Sequence, residues 1–190
     1  MRPVLIQLSR FQLRDFQGAD RAAFVRYQMD PRYLSLYDFS PSDAARAEQL
    51  FACFLDWQVE EPRSNFQLGI FEVATGGLLG CAGLRKSDEE LAVLGIELAP
   101  AQWGRFRLAI ETAAALLEYG FGTLKLRTII GDTASGNRRV EKLACWFGAE
   151  IVARRKGPDW MQTRGWQEVD WALSREDWAK SPARNGVAQH

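Results

Sequence analysis

The run Leu91-Ala92-Val93-Leu94-Gly95-Ile96-Glu97-Leu98, closed by Pro100 and followed by a helical pattern from Trp103 to Phe121, constrains the fold more than any other stretch of the chain. A nearly continuous apolar strand is covered on both faces, so it belongs inside a sheet rather than at its edge. The helix that follows carries Phe106, Ala109, Ile110, Ala113, Leu116, Leu117 and Phe121 at three- and four-residue spacing, one apolar stripe for packing. A buried strand feeding a long amphipathic helix points to a mixed α/β architecture.

The remaining segments supply further layers. Phe11-Gln12-Leu13-Arg14-Asp15-Phe16 alternates as a half-buried strand, and Gly18 to Met29 has helical spacing that Asp30-Pro31 ends. Ser40-Pro41-Ser42 opens a second helix with Ala47, Leu50, Phe51, Phe54 and Leu55 on one face, stopped at Glu61-Pro62-Arg63. Asn65–Val73 and Leu78–Leu84 form a hairpin about Thr75-Gly76-Gly77. Leu126–Ile130 reads as a strand, Asn137–Phe147 as a helix, and Ile151–Arg154 and Trp166–Leu173 as closing strands around the loop Gly157-Pro158-Asp159-Trp160. At 190 residues the expectation is a single domain over 1–180. From Ser181 to His190 small and polar residues suggest a flexible tail.

Composition excludes several function classes. Twenty-four basic residues balance twenty-four acidic ones, which gives no support to a nucleic-acid or anionic-membrane partner. No stretch approaches the ~20 apolar residues of a membrane span, and the run Val4-Leu5-Ile6 is too short for a signal peptide. Cys53, Cys81 and Cys145 include no C-x-x-C pair, so three buried thiols in a reducing, cytoplasmic setting are expected and no metal site. The only histidine is His190, which removes histidine-based triads, zinc sites and proton shuttles.

The chemistry concentrates where the central strand meets the long helix. A helix N-terminus presents free amides and partial positive charge to an anion, and Arg105 and Arg107 flank this one. The two guanidiniums are either phosphate ligands or solvated side chains.

This segment resembles the GNAT N-acyltransferase superfamily, in particular its RimJ/RimL-like branch. The resemblance rests on Pro100, Trp103-Gly104, Ala109-Ile110-Glu111 and Tyr119-Gly120-Phe121, on Ile129-Ile130, Asn137 and Gly148 downstream, and on Leu13-Arg14-Asp15-Phe16 and Asp30-Pro31 upstream. It implies a mixed, mostly antiparallel sheet of about six to seven strands, splayed between the fourth (Leu91–Leu98) and the fifth (Leu126–Ile130), with about four flanking helices. It further implies acetyl-CoA as acyl donor, its pantetheine arm in the splay beside Leu98 and its pyrophosphate on Arg105, Phe106, Arg107, Leu108 and Ala109. Asn137 would touch the arm from the opposite side, and Lys142, with Arg138 and Arg139, either reaches the phosphates or forms a solvated face. The implied reaction is transfer of the acetyl group to a primary amine, on a small molecule or a protein N-terminus, by direct attack in a ternary complex. A module that binds CoA or a related nucleotide without efficient transfer is the alternative; a monomer and a homodimer are both compatible.

The chain departs from the family pattern at three positions. Arg107, or Phe106 in the register set by Trp103-Gly104, stands where the phosphate loop has its central glycine, Ala144 where many members have an acid tyrosine, and Val93 where many have a basic glutamate. Glu97 shares strand parity with Val93 and becomes the candidate base, its pKa raised by an apolar strand; a cross-strand ion pair with Arg85 is the competing reading. Ser135 is a candidate hydroxyl for the thiolate, or a capping residue. Tyr33, Tyr37, Phe39 and Trp57 either line an acceptor pocket or pack the core, and Cys145 is expected to be buried.

Overall fold

The structure, a computed structural model, describes residues 3–34 and 44–187. The chain divides into two compact units: the residues up to Arg85 with Ile96–Leu108, and Lys86–Gly95 with Ala109 onward.

The first unit begins with β1 (Leu5–Gln7) and β2 (Phe11–Arg14), paired antiparallel with Ile6 opposite Leu13. After α1 (Arg21–Gln28), α2 (Pro31–Leu34) and α3 (Ala44–Val59) come β3 (Asn65–Glu72) and β4 (Leu78–Lys86). β3 lies antiparallel to β2, with Leu13 opposite Ile70, and to β4, with Leu68 opposite Ala82. The hairpin turn is where the glycines require it: Gly76 takes φ +69°, and Glu72 donates its amide to the Gly77 carbonyl at 2.9 Å. β1 was not expected and raises the strand number to eight; its three residues are too few for periodicity to reveal. The start of α3 at Ser40-Pro41-Ser42 lies outside the described residues, as do Tyr37 and Phe39.

Aromatic residues build this unit's core. Phe24 and Tyr27 from α1, Phe51 and Phe54 from α3, and Phe16, Phe71, Cys81 and Ala99 form one buried cluster, with Leu50, Leu55 and Trp57 packed against it. Phe16 meets Phe24 and Phe51 edge-on, at 5.8 Å and 5.4 Å between centroids. Each buried phenyl ring contributes about 2–3 kcal/mol of burial, and each edge-on pair about 1 kcal/mol more.

β5 (Leu91–Leu98) occupies the expected residues and crosses from one unit to the other. Its end is tied to β4 by the Ala99 amide, which donates to the Leu79 carbonyl at 2.9 Å. Gly80 allows that approach: at φ +154°, a Cβ on it would lie 2.2 Å from the Glu97 carbonyl oxygen. Pro100–Gln102 then forms a single 3-10 turn, and α4 (Phe106–Glu118) starts three residues later than the periodicity indicates. Gly104, at φ +92°, interrupts helical geometry just before it.

The second unit pairs the start of β5 in parallel with β6 (Thr128–Ala134). This ladder has three pairs, Leu91↔Thr128, Ala92↔Ile129 and Val93↔Ile130. α5 (Arg138–Phe147) follows, then β7 (Glu150–Arg155), α6 (Asp159–Gln162), β8 (Glu168–Ser174), α7 (Arg175–Lys180) and α8 (Pro182–Val187). β8 lies antiparallel to both β6 and β7, so the strand order is β1-β2-β3-β4-β5-β6-β8-β7, mostly antiparallel with one parallel pair. The buried face of α4 carries Ala113, Ala114, Leu116 and Leu117.

Several local expectations are corrected. β6 starts at Thr128 rather than Leu126, because the chain is still turning there: Lys125 takes φ +59° and the Leu126 amide bonds to the Gly120 carbonyl. The 157–160 loop contains the start of α6, α7 was not foreseen, and Pro182–Val187 is helical rather than frayed. Of the three thiols only Cys81 is buried; Cys53 and Cys145 are exposed. Each exposed cysteine lies two positions after a residue of its helix's apolar stripe, Phe51 and Leu143, about 200° around the axis.

Candidate active site

Glu97 has an unusual environment for a residue near the end of a central strand. Its side chain is partly buried in the first unit, where two helices bring it three donors. Tyr27 of α1 donates its hydroxyl to Oε1 at 2.7 Å, and the next residue, Gln28, donates its side-chain amide to the same oxygen. Tyr33 of α2 donates to Oε2 at 2.6 Å. The buried Cys81 thiol of β4 lies 3.9 Å from Oε1 and itself accepts the Tyr27 hydroxyl at 3.3 Å. From α3, Arg46 donates to the Gln28 carbonyl oxygen at 3.1 Å. The tyrosine rings meet edge-on, 6.1 Å apart.

The electrostatics follow from this geometry. Burial disfavours the charged carboxylate and raises the Glu97 pKa, while the donated bonds from Tyr33, Tyr27 and Gln28 and the charge of Arg46 pull it back; burial prevails. The same environment, with Glu97 close by, drives the Tyr27 hydroxyl and the Cys81 thiol well above their ordinary values, so both stay protonated. A carboxylate with raised pKa, held by neutral donors and partly open to solvent, is suited to take up and release a proton. Arg85, the competing partner, lies near the far end of β4, whereas Glu97 stands against Gly80, five positions earlier in that strand.

The turn that enters α4 is built from the same unit. The Leu98 carbonyl accepts the Trp103 indole N–H at 2.9 Å, which folds the Pro100–Gln102 turn back on the strand. The amides of Arg105, Phe106 and Leu108 donate to the carbonyls of Gln102, Gly104 and Arg105, at 3.1, 2.9 and 3.0 Å. Arg105 also donates its guanidinium to Gln102 Oε1 at 2.6 Å, and both it and Arg107 are exposed. Gly104 has open space where a Cβ would stand. The positive charge at this open turn is carried by two exposed guanidiniums, while three of its amides are bonded within the turn.

In the second unit, Ala109 continues α4 and is half-buried. Ser135 Oγ accepts the Gln167 amide at 3.0 Å, latching the loop after β6 to the entry of β8. The cap of α5 is Asn137, whose Oδ1 accepts the Val140 amide at 3.4 Å. Lys142 is exposed, and Arg138 pairs with Glu141 at 2.6 Å. Trp178 is buried against Phe147 and Trp171 is buried in β8, while Trp160 and Trp166 are half-buried beside the Arg164 guanidinium. Among the described residues no group of three or more His, Cys, Asp or Glu is placed to hold a metal ion, and no helix is long and apolar enough to cross a membrane.

Sequence reasoning singled out Glu97 and Tyr33 but did not name Gln28 or Arg46. Gln28 had a signal: it sits with Phe24 and Tyr27 at the i, i+3 and i+4 positions of α1's buried face, a polar residue on an apolar stripe.

With strand order and site in place, comparison with known proteins is direct. Residues 10–150 match the family described as Acetyltransferase (GNAT) domain, and the chain belongs to that family. An acetyltransferase from Agrobacterium tumefaciens shares the fold with a TM-score of 0.71 and 23% identity, over 92% of this chain and 96% of that one. The ribosomal-protein-S5-alanine acetyltransferase of Vibrio fischeri gives a TM-score of 0.75 at 13% identity, over 92% and 98%. A spermidine N-acetyltransferase chimera from Vibrio cholerae gives 0.73 at 16%, over 90% and 99%. At such identities the likeness is one of fold.

Proposed function

We propose that this chain transfers an acetyl group from acetyl-CoA to a primary amine, on a small molecule or a protein N-terminus, with Glu97 as the base. The observation that carries this reading is the Glu97 carboxyl, oriented by Tyr27, Tyr33 and Gln28 and raised in pKa by burial. Oε1 receives Tyr27 and Gln28, whereas Oε2 receives Tyr33, leaving Oε2 the better placed oxygen for a proton from the acceptor.

When bound, acetyl-CoA supplies an activated thioester. The neutral amine attacks the thioester carbonyl, a C–N bond forms, and the C–S bond breaks to release CoA thiolate. Glu97 takes the proton the amine loses, directly or through one water, and protonation of the thiolate completes the balance. No enzyme nucleophile is needed, which is consistent with a chain whose only histidine is His190. Arg105 and Arg107 hold the diester charge, and Leu98, Phe106, Leu108, Ala109, Asn137 and Lys142 are the further coenzyme contacts in this reading. The RimJ/RimL-like resemblance favours a protein N-terminus or a polyamine-like amine among possible acceptors.

The test is release of free CoA thiol from acetyl-CoA across an amine library, with Glu97→Gln alongside. Amine-dependent release that Glu97→Gln abolishes supports the reading. Saturable binding of acetyl-CoA with no turnover on any amine favours the alternative, a coenzyme-binding module. That alternative takes its support from Ala144 at the acid position and from the internally bonded amides of the turn.

A further inference from the structure

Gln28 is wholly buried, and both ends of its side-chain amide are committed: the NH2 to Glu97 Oε1 and the carbonyl to Arg46 Nη2. An amide can rotate by half a turn and exchange its oxygen for its nitrogen with almost no change of shape, so some other group has to fix its direction. A guanidinium has only donors, and so fixes the carbonyl toward itself. With the carbonyl held there, the NH2 faces the carboxyl, and Glu97 meets a donor. In the reversed orientation two oxygens would face each other, an arrangement that only a protonated carboxyl could bridge.

We propose that Arg46 is a positioning residue for the acetyl transfer: acting from α3 through the Gln28 amide, it fixes Glu97 as a hydrogen-bond acceptor and so as the base. The inference rests on the reading of Glu97 given above and extends it from one carboxyl to a relay, Arg46 to Gln28 to Glu97, spanning α3, α1 and β5. Among the described residues, the titratable and charged groups that face Glu97 are Tyr27 of α1, Tyr33 of α2, Arg46 of α3 and Cys81 of β4. Arg46 is the one among these with a positive charge, and Tyr27 and Cys81 stay protonated beside the carboxyl. Losing Arg46 therefore acts twice in one direction: it removes a favourable charge and frees the amide to turn. Both changes favour the protonated carboxyl.

The experiment is a 13C NMR titration of the Glu97 carboxyl in the full chain, assigned by difference against Glu97→Gln. It compares wild type, Arg46→Met and Arg46→Lys, alone and in a Gln28→Leu background, with circular dichroism to check folding. Arg46→Met is expected to bind the Glu97 proton about tenfold more tightly, a midpoint about one pH unit higher. Arg46→Lys, a donor-only cation, recovers at least half of that shift, and with Gln28→Leu the effect of Arg46→Met shrinks. Coincident midpoints for wild type and Arg46→Met would overturn the proposal. So would a lysine variant no better than methionine, or an undiminished shift without Gln28. If Arg46→Met does not fold, Arg46→Gln removes the same charge and the same outcomes decide. Because the titration is read without turnover, a fully active Glu97→Gln enzyme would end the base reading and leave the relay standing. An unmoved midpoint ends the relay and leaves the base.

Discussion

The first unit holds a buried carboxylate, Asp15, and a partly buried one, Glu97, and their surroundings are opposites. Asp15 accepts both guanidinium nitrogens of the buried Arg63, at 2.7 and 3.2 Å, and the Val4 amide at 2.8 Å. Arg63 in turn donates to the Asn65 carbonyl at 2.9 Å and lies over the Phe66 ring. Glu97 has two tyrosine hydroxyls and an amide instead, with the nearest positive charge one residue removed. A permanent cation in contact cancels a carboxylate's charge where it stands and ties backbone segments together. Neutral donors orient a carboxylate without cancelling its charge, so it remains able to exchange a proton. The counter-charge in contact separates the structural acid from the candidate chemical one.

The largest expected effect tests the chemical side. Glu97→Gln keeps the shape and loses the base, so kcat/KM for amine acetylation should fall by about 10²–10⁴ with an unchanged fold. The mirror experiment is Asp15→Asn, which leaves Arg63 buried without its counter-charge and should cost about 3–5 kcal/mol in urea unfolding, while activity per folded molecule is kept. An active Glu97→Gln enzyme, or an Asp15→Asn protein of full stability, would break the contrast.

Next in size is pH dependence. Tyr33→Phe removes the donor to Oε2, and since that bond lowers the Glu97 pKa, its loss should move the acid limb of kcat/KM upward by about one unit. Stability carries the same sign. The folded state raises the Glu97 pKa, so it holds that proton more tightly than the unfolded chain does. The resulting stabilisation is complete below the ordinary value of 4.5 and is lost as pH rises through the folded value. Wild type should therefore lose unfolding free energy relative to Glu97→Gln as pH rises above 4.5 and through the folded value. Denaturant curves for the two proteins across a pH series check this, and parallel behaviour would remove Glu97 from the titrating groups.

What could be read from the chain depended on how far apart the partners lie. The β5 strand, the hairpin about Gly76 and the apolar stripe of α3 rest on local patterns, and the first two stand where expected. β6 was misplaced because Gly131, Asp132 and Thr133 make its second half look like a loop, whereas its real support is β8 across the sheet. α8 was missed because a polar hexapeptide has little local reason to be helical. At the site, strand parity and isolation within an apolar run marked Glu97 from sequence alone. Its donors sit 64 to 70 positions away in the chain, and no spacing rule connects them. The glycine that seats β4 against Glu97, Gly80, is equally silent until its missing Cβ is measured against the carbonyl.

The smallest expected effect concerns a polar residue of the other kind, one engaged by its own loop. Ser135 Oγ accepts the Gln167 amide, holding together the segments that follow β6 and precede β8. Ser135→Ala strands that amide without its partner, at a cost of about 1 kcal/mol because the loop is open enough for water to replace part of the bond. Thermal unfolding should register that loss while kcat changes by less than about threefold, well short of the effect of removing an acid or base. A fall in kcat of a hundredfold at unchanged stability would assign the hydroxyl to the departing thiolate. Ser135 would then stand with Glu97 rather than with Asp15.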